Sequence, residues 1–570
     1  MKLLFKNPAA ILRYKDSLLL GLMATGAGCG MVYEYLIAHY AGRILGSVDT
    51  AVYAMIGLMI MAMGIGAFYA RTFRCAYTGF AWLEAAIALV GGAAVLAMAG
   101  LFSLAYVLPA QLQHTFGLHQ TISLSGGPVF ALKQIAEGFP YLLGLLLGIL
   151  IGMEIPFIAR IREDLYKHKL EHNAGTVYGA DYIGGGLGAA IWIWILLTKP
   201  IIIAAALTAL LNLILGAIFL SHFYKNIKGA RFLVAAKGLT AIVLLAILMN
   251  GTGWMNAMSN MLYSDQVVYS NNTKYQNLVI TERIASPHKP TIIDLYINGQ
   301  LQFSSADEAI YHSFLVAPVM LASARQNNIL IIGGGDGLAA KEVLKWNPKT
   351  ITLIDLDATM ISTFKGEQGD VPPWLSQRLT MLNANALNDP RLQFIYGDAF
   401  KEIEALVVSE AIYDTIIVDL PDPSHPDLNK LYSAYFYSKI ASLLAGDGAM
   451  VVQSTSPYHS KKAFLSIGKT LAATGLTVDQ YHANVPSFGE WGWSLGTKRG
   501  IGAQQRITNH ADSGFDHDFI TYPQILAAFH FSKSFFDEIN SIDINRLSAP
   551  TLYNYHAEGW RKHDGIYFAK

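Results

Sequence analysis

Cysteine is nearly absent from this chain: only Cys29 and Cys75 occur among its 570 residues. Both lie in the first half, so the second half can hold no disulfide, no cysteine metal site and no thiol chemistry. We therefore predict no metal site. The cysteines leave the compartment of the second half open.

Charged residues are also scarce, at 14% of the chain, whereas hydrophobic residues make up 53%. Soluble domains average about 25% charged residues, so we expect a lipid bilayer as a partner for part of this chain. The formal net charge is zero, and no run of Lys and Arg stands out. The positive surface that nucleic-acid binding requires is missing, and we predict no nucleic-acid partner.

Long apolar runs fill residues 1–250, which we predict to be a multi-pass transmembrane helical domain. A span needs about 20 mainly apolar residues, and seven stretches qualify: 17–38, 50–70, 79–104, 139–159, 176–198, 201–221 and 232–250. The first should be a retained span, not a cleaved signal peptide. Lys237 in the last stretch should snorkel to the interface. Residues 105–138 contain Pro109 and Pro128 and predict an interfacial or re-entrant connection.

Four acidic residues interrupt these stretches: Glu34, Glu84, Glu154 and Asp181. Charged groups are costly in hydrocarbon, so these side chains should face the bundle interior or a watery cavity. Two interpretations stay open. The acids form a site for a cationic solute, or they pair with helix termini, hydroxyls and nearby Lys or Arg inside the bundle.

After residue 250 the sequence changes to short alternating runs punctuated by turns. The Asn298-Gly299 pair predicts a hairpin, and we predict a small antiparallel β module at 251–304. Short apolar strands then alternate with helical segments, which indicates a parallel sheet flanked by helices. These strands are 328–332, 350–354, 392–396, 415–418 and 449–453. We predict a Rossmann-like α/β domain of the class I methyltransferase type at 305–500 and a C-terminal extension at 501–570.

The first of these strands runs into a glycine-rich loop, Gly333-Gly334-Gly335-Asp336-Gly337. Glycines such as Gly333 and Gly335 let the backbone approach a ligand, and the following helix start offers free N–H groups. Alone, this motif is weak.

The next three strands end in the acids Asp355, Asp398 and Asp419. Ligands of such sheets bind beyond the carboxyl ends of the strands. Asp355 follows the glycine loop at the spacing of a ribose-binding acid, and Asp398 can accept from an adenine amino group. Each acid alone could be a helix cap or turn residue, so the stronger signal is their recurrence at successive strand ends.

A cleft that gathers five acids is poorly suited to pyrophosphate, which requires positive potential. The five are Asp336, Asp355, Asp398, Asp419 and Asp422. Their charge favours a nucleoside that bears a cation, together with a cationic second substrate.

At these residues the sequence resembles the spermidine synthase (polyamine aminopropyltransferase) family, and its apolar first half resembles the membrane-bound bacterial branch of that family. The most specific matches are the glycine loop, Asp419-x-x-Asp422-Pro423, Leu431 to Tyr437, Tyr275-Gln276 and Gln302 to His312. The resemblance implies transfer of an aminopropyl group from decarboxylated S-adenosylmethionine to a di- or polyamine such as putrescine. This co-substrate would replace any permanently bound cofactor.

The resemblance also implies roles for individual residues. Asp355 would hold the ribose and Asp398 the adenine. Gln276 and Asp336 would hold the aminopropyl arm, beside the loop glycines Gly333 and Gly335. Asp419 would be the base, and the acceptor amine would meet Tyr311, His312, Asp422 and Gln453.

Two departures from the family pattern concern the acceptor end. Ser313 stands where a Glu often follows the Tyr-His pair, and Phe488 replaces a Tyr common in the amine pocket. Two other functions stay open: a methyltransferase that uses intact S-adenosylmethionine, and an amine sensor or transporter with a non-catalytic synthase-like domain. A homodimer is an assembly that the sequence leaves open.

The charge distribution predicts the orientation in a bacterial inner membrane. With seven spans, 13 Lys and Arg lie on the N-terminal side and three, Arg43, Lys133 and Lys199, on the opposite side. The positive-inside rule then puts the N-terminus in the cytoplasm and the catalytic domain outside. The co-substrate is expected in the cytosol, which argues for the opposite side and would require six spans.

Overall fold

The chain divides into two structural units, Met1–Ser264 and Asp265–Lys570. The structure is a computed structural model, and it describes residues 8–45, 48–115, 127–168, 171–261, 263, 265–286, 288–509 and 515–568.

The first unit is helical throughout most of its described residues. Its α-helices are α1 Pro8–Leu45, α2 Val48–Tyr69, α3 Ala76–Thr115, α4 Gly127–Gly152, α5 Glu154–Tyr166, α6 Asn173–Trp194, α7 Ile201–Phe223 and α8 Ala230–Asn260. Among the described residues, six helical segments are long and apolar enough to cross a membrane. They cover six of the seven predicted stretches. The remaining stretch, 176–198, falls largely in α6, whose several glycines and Asp181 reduce its apolar character.

The structure corrects two predictions for this unit. Residues 105–115 continue α3 through Pro109, and residues 127–138 begin α4, while 116–126 lie outside the described residues. A proline is tolerated inside such a helix where neighbouring groups satisfy the backbone carbonyl that it leaves free. Lys237 does not snorkel, because its side chain is 6% exposed and its amine lies within the bundle beside Gly216.

The second unit begins with a four-stranded antiparallel sheet in the order β1-β2-β3-β4, which confirms the predicted β module. The strands are β1 Gln266–Asn272, β2 Asn277–Arg283, β3 Ile292–Ile297 and β4 Gln300–Ser304. Asn298 and Gly299 join β3 to β4 with φ angles of 51° and 81°. Positive φ at both positions is the geometry that favours Asn-Gly in tight hairpins.

A seven-stranded sheet follows in the order β10-β11-β9-β8-β5-β6-β7. Its strands are β5 Asn328–Gly333, β6 Thr350–Asp355, β7 Leu392–Tyr396, β8 Tyr413–Asp419, β9 Leu444–Gln453, β10 Thr477–Val485 and β11 Gly489–Thr497. Strands β5 to β9 are parallel, and β11 pairs antiparallel with both β9 and β10. The predicted α/β fold is therefore confirmed.

Helices cover both faces of this sheet. They are α9 Glu308–Ala322, α10 Leu338–Leu344, α11 Ala358–Lys365, α12 Pro373–Leu382, α13 Ala399–Val408, α14 Ala434–Leu443, α15 Lys461–Ala472, α16 Ala503–Asn509, α17 Tyr522–Ala527 and α18 Leu552–Phe568. Alternate residues of β5 enter opposite cores: Ile329 and Ile331 one, Leu330 and Ile332 the other. The chain reverses its direction of strand addition between β5 and β8, and ligands bind at such switch points.

Candidate active site

Gly333, at the end of β5, pairs with Asp419, at the end of β8. Gly333 has a φ of +87°, and a Cβ there would overlap the carbonyl oxygen of Asp419. Only glycine fits this approach without strain. The glycine loop and the predicted base therefore meet at the switch point of the sheet.

The carboxylate of Asp419 has one oxygen engaged by Tyr311. The Tyr311 hydroxyl donates to Asp419 Oδ1 at 2.8 Å, while Oδ2 would lie 3.6 Å from a Cβ on Gly334. Burial raises the pKa of Asp419, and the charge of His312 and the Tyr311 hydrogen bond partly offset this rise. A raised pKa makes the carboxylate a better proton acceptor.

His312 follows Tyr311 in α9 and is 3% exposed. Its Nδ1 is 2.9 Å from the Glu308 carbonyl oxygen and 3.2 Å from Glu308 Oε2, and Lys341 donates to Glu308 Oε1 at 2.7 Å. Burial opposes protonation, but Glu308 raises the pKa of His312 to about 8. The imidazole therefore supplies positive charge near Asp419.

Asp336 in the glycine loop accepts a hydrogen bond from the Leu338 N–H at 2.9 Å, at the start of α10. Burial raises its pKa to about 6, although the charge of His312 lowers it. Asp336 is thus a buried acid close to Asp419, as expected for residues that share one strand edge.

Asp355 ends β6, and two backbone groups hold it. The Gly335 N–H donates to Oδ2 at 3.0 Å, and the Asp357 N–H donates to Oδ1 at 2.8 Å. Burial, helped by the charges of Asp336 and Asp357, raises its pKa to about 7. The fold thus fixes this carboxylate in an environment that penalises its ionisation.

Gln276 reaches the same edge from the turn between β1 and β2. The Thr273 hydroxyl accepts from the Gln276 N–H at 3.1 Å and donates to Asp357 Oδ2 at 2.7 Å. The Gln276 side-chain nitrogen lies 3.7 Å from the sulfur of Met360. The small sheet therefore presents its turn to the end of β6.

Asp398, after β7, has two partners of its own. It caps α13 by accepting from the Phe400 N–H at 3.1 Å, and Lys430 donates to Oδ2 at 2.6 Å. Burial opposes ionisation, but these two hydrogen bonds lower the pKa of Asp398. Asp398 is therefore an ionised, paired acid.

Asp422 lies beyond β8 with three side chains directed at it. Gln453 donates to Oδ1 at 3.1 Å, the Thr455 hydroxyl donates to Oδ2 at 2.9 Å, and His556 Nε2 lies 3.1 Å from Oδ2. The indole nitrogen of Trp560 lies 2.9 Å from the same His556 nitrogen. The C-terminal helix α18 thus takes part in the site.

Aromatic rings form the wall next to Tyr311. The Phe488 ring centroid lies 6.1 Å from that of Tyr311 and 5.0 Å from that of Trp491. Ser313, two residues after Tyr311 in α9, is fully buried. Phe488 therefore lies beside Tyr311 at the predicted acceptor end, whereas Ser313 is buried in the interior of the domain.

Sequence reasoning missed three partners of the acids: Lys430, Thr455 and His556. Lys430 follows the Asp422-Pro423 motif by a few residues, so the local sequence indicated that it lies near the site. His556 is 134 residues from Asp422, and no motif links the two. In the described residues, no group of three or more His, Cys, Asp or Glu side chains is arranged to hold a metal ion.

Comparisons with known proteins agree with this geometry. Residues 308–505 match the family model described as the spermine/spermidine synthase domain. The polyamine aminopropyltransferase of Shewanella oneidensis is 49% identical over 560 residues, 98% of each chain. That of Oceanobacillus iheyensis is 31% identical over 94% of this chain and 96% of the relative.

A crystal structure of spermidine synthase in complex with the transition-state analogue AdoDATO covers 48% of this chain and 88% of its own, with a TM-score of 0.42 and 20% identity. The two curated relatives span nearly the whole length of the chain, its helical unit included. The chain therefore belongs to the polyamine aminopropyltransferase family.

Proposed function

We propose that this enzyme transfers the aminopropyl group of decarboxylated S-adenosylmethionine to putrescine or a similar amine, which yields spermidine and methylthioadenosine. The observation that carries the proposal is Asp419 at the switch point, with Tyr311 on one oxygen and the glycine loop beside the other. Its position and raised pKa suit a base.

In the proposed reaction the acceptor ammonium first loses a proton to Asp419. The freed amine attacks the methylene carbon attached to the sulfonium, so that a C–N bond forms as the C–S bond breaks. The electron pair of the broken bond goes to sulfur, which leaves as neutral methylthioadenosine. General-base catalysis contributes typically ~10²- to 10⁴-fold, and alignment of nitrogen, carbon and sulfur contributes a further large share.

The nucleoside end is assigned to Asp355 for the ribose and Asp398 for the adenine, with Gln276 and Asp336 at the aminopropyl arm. All four reach one edge of the sheet, which supports the assignment. The acids also favour the decarboxylated co-substrate, because the carboxylate of intact S-adenosylmethionine would enter a field of negative charge. The methyltransferase alternative lacks this support.

The acceptor end is assigned to Asp422, held by Gln453, Thr455 and His556. Because Gln453 and His556 contact Asp422 directly, we treat both as positioning residues that act on the amine through that carboxylate. Phe488 gives this end less hydrogen-bonding capacity than a Tyr would, which supports a broad choice of amine.

The decisive experiment incubates the detergent-purified full chain with decarboxylated S-adenosylmethionine and a panel of amines, and identifies products by mass. We expect methylthioadenosine together with the aminopropylated amine. Intact S-adenosylmethionine serves as the parallel co-substrate. Methylated products from it, without aminopropyl transfer, would refute the proposal.

We also propose that the first unit is embedded in the bacterial inner membrane and that α6 crosses it together with the six apolar segments. The packing of α6 on α1 supports seven crossings. Gly184 of α6 lies against Ala24 of α1, and Gly188 lies against Gly28, so the two helices run in the same direction. A helix of 22 residues is long enough to span the bilayer beside α1.

The packing of α3 and α7 gives a second line of support. Glu84 of α3 accepts a hydrogen bond from Asn212 of α7, and Gly92 of α3 lies against Ala209 of α7. The residue number rises along α3 while it falls along α7, so these two helices are antiparallel. Spans alternate in direction along the chain, and without a crossing by α6 the helices α3 and α7 would run parallel. With the N-terminus in the cytoplasm, seven crossings put the catalytic unit outside.

Cysteine labelling tests this orientation. Gly369 is exposed, and a Cβ there meets nothing within 4 Å. Because Cys29 is buried, Gly369→Cys in a Cys75→Ser background offers one accessible thiol. It should react with a membrane-impermeant maleimide in intact spheroplasts. Labelling only after lysis would mean that the catalytic unit faces the cytoplasm.

A further inference from the structure

Among the buried polar side chains of the helical unit, five come from five different helices and lie in its interior. They are Tyr33 of α1, Glu84 of α3, Glu154 of α5, Asn212 of α7 and Lys237 of α8, and none is more than 6% exposed. Ionisable groups in such a position are a functional-site hypothesis by default. Their contacts decide whether they satisfy one another.

Three of the five meet at Gly216. Asn212 donates to Glu84 Oε2 at 2.9 Å. A Cβ on Gly216 would overlap Lys237 Nζ and would lie 2.9 Å from the Cβ of Glu84. Lys237 and Glu84 therefore balance each other's charge in the core.

Tyr33 and Glu154 extend this group across α1. A Cβ on Gly26 would lie 3.0 Å from Glu154 Oε2, and one on Gly91 would overlap the Tyr33 ring. Gly26 and Tyr33 are two turns apart on one face of α1. The charges of Glu84 and Glu154 act on each other and on Tyr33, so the five side chains form one electrostatically connected group.

Four atoms of this group lack a hydrogen-bond partner among the residues that the structure describes: the Tyr33 hydroxyl, Glu154 Oε1, Asn212 Oδ1 and Lys237 Nζ. Buried polar groups are nearly always hydrogen-bonded, so four such atoms in one interior indicate a binding site. Glu154 forms no ion pair with any residue that the structure describes, so its buried carboxyl group must either keep its proton or bind a cation. An unpaired buried charge is strongly destabilising.

We propose that the helical unit binds one small monovalent cation at Glu154, with the Tyr33 hydroxyl as a further oxygen ligand. The occupant is an alkali-metal ion or a primary ammonium group, since both carry a single positive charge and bind oxygen atoms, the metal by coordination and the ammonium by donating hydrogen bonds. This site is separate from the aminopropyl-transfer site and does not depend on the proposed function.

Thermal unfolding of the full chain in detergent tests the proposal, because a ligand of the folded state raises the Tm. Sodium, potassium, methylammonium and putrescine are compared with choline at constant ionic strength. We expect a saturating rise in the Tm with at least one of the four. A response to the metals alone or to the amines alone identifies the occupant, and Tm values equal to those in choline throughout would overturn the proposal.

Variants locate the site. Glu154→Gln should abolish the cation-dependent shift, while Glu34→Gln, at a partly buried acid on α1, should retain it. Tyr33→Phe removes only the hydroxyl and should raise the half-saturating concentration roughly fivefold, the effect of one lost polar contact. If Glu154→Gln does not fold, Tyr33→Phe remains as the test of the site. A wild-type shift in Glu154→Gln or an unchanged half-saturating concentration in Tyr33→Phe would contradict the assignment.

Discussion

Both units of this enzyme bury carboxylates, but they hold them differently. In the catalytic unit each acid meets donors aimed at it: backbone N–H groups at Asp355, and side chains of Gln453 and Thr455 at Asp422. In the helical unit, Glu84 accepts from Asn212, whereas Glu154 Oε1 has no hydrogen-bond partner in the described residues. Strand ends supply free N–H groups, and helix interiors have none to spare.

The comparison teaches that the same residue type serves different purposes in the two units. Fixed donors preorganise a carboxylate for the proposed catalytic role, whereas a carboxylate without them is suited to the proposed cation site. Substitutions in the catalytic unit test this difference between the units, because each should impair one defined step of the reaction.

The largest effect is expected from Asp419→Asn. The amide cannot accept the amine proton, so kcat should fall by ~10²- to 10⁴-fold, while nucleoside affinity measured by calorimetry persists. Asp427→Asn, at an exposed acid of the same segment, is the control and should keep normal turnover. Near wild-type kcat in Asp419→Asn would show that the base has been assigned wrongly.

Asp355→Ala should act on the other substrate. Loss of hydrogen bonds from a charged group is worth about 1.5 to 3 kcal/mol, so nucleoside affinity should fall by roughly 10- to 100-fold with kcat less affected. Calorimetric titration with methylthioadenosine measures this. Unchanged affinity would remove Asp355 from the ribose site.

The same residue predicts a pH dependence of stability. Because the pKa of Asp355 is raised from 3.8 to about 7 in the folded state, the folded protein binds the proton more tightly than the unfolded chain. The contribution of Asp355 to the free energy of unfolding of the wild-type protein should therefore fall as the pH rises from about 4 to 7. The Tm of Asp355→Asn relative to wild type should therefore increase over that range, and a flat difference would argue against the raised pKa.

A smaller effect is expected from His556→Ala, which removes one partner of Asp422. The amine KM should rise about five- to tenfold, as for one hydrogen bond, with kcat and nucleoside affinity retained. His556→Gln keeps a polar amide at this position and should restore most of the KM, and Asn554→Ala, at an exposed position of the same helix, should change nothing. A loss of kcat alone would indicate a role other than positioning.

The smallest effect concerns amine choice at Phe488. One methylene is worth only ~1 to 3 kcal/mol of discrimination in an apolar pocket, so the wild-type enzyme should accept several amines. Phe488→Tyr should shift their relative kcat/KM by about fivefold, through one added hydroxyl. A wild-type preference above about a thousandfold for putrescine alone would contradict this account, because an apolar wall offers no such discrimination.

The sequence was sufficient for the α/β fold, the small antiparallel sheet and the strand-end acids. Strand ends can be recognised locally, because a buried parallel strand is a short apolar run and its carboxyl end lies at a known edge of the sheet. Asp355, Asp398 and Asp419 could therefore be identified from the sequence alone, and so could their neighbours in the glycine loop.

Only the tertiary structure brought His556 to Asp422, Lys430 to Asp398 and Lys237 into the core beside Glu84. Each of these contacts depends on how separate elements pack. Lys430 lies close in sequence to the Asp422-Pro423 motif, but no local pattern places His556 or Lys237 beside its acid. From hydropathy we expected Lys237 to extend to the interface, whereas packing placed its amine in the core beside Gly216, close to Glu84. Local periodicity determined which elements form and where their ends lie, and the burial of distant side chains against one another decided which charges are paired.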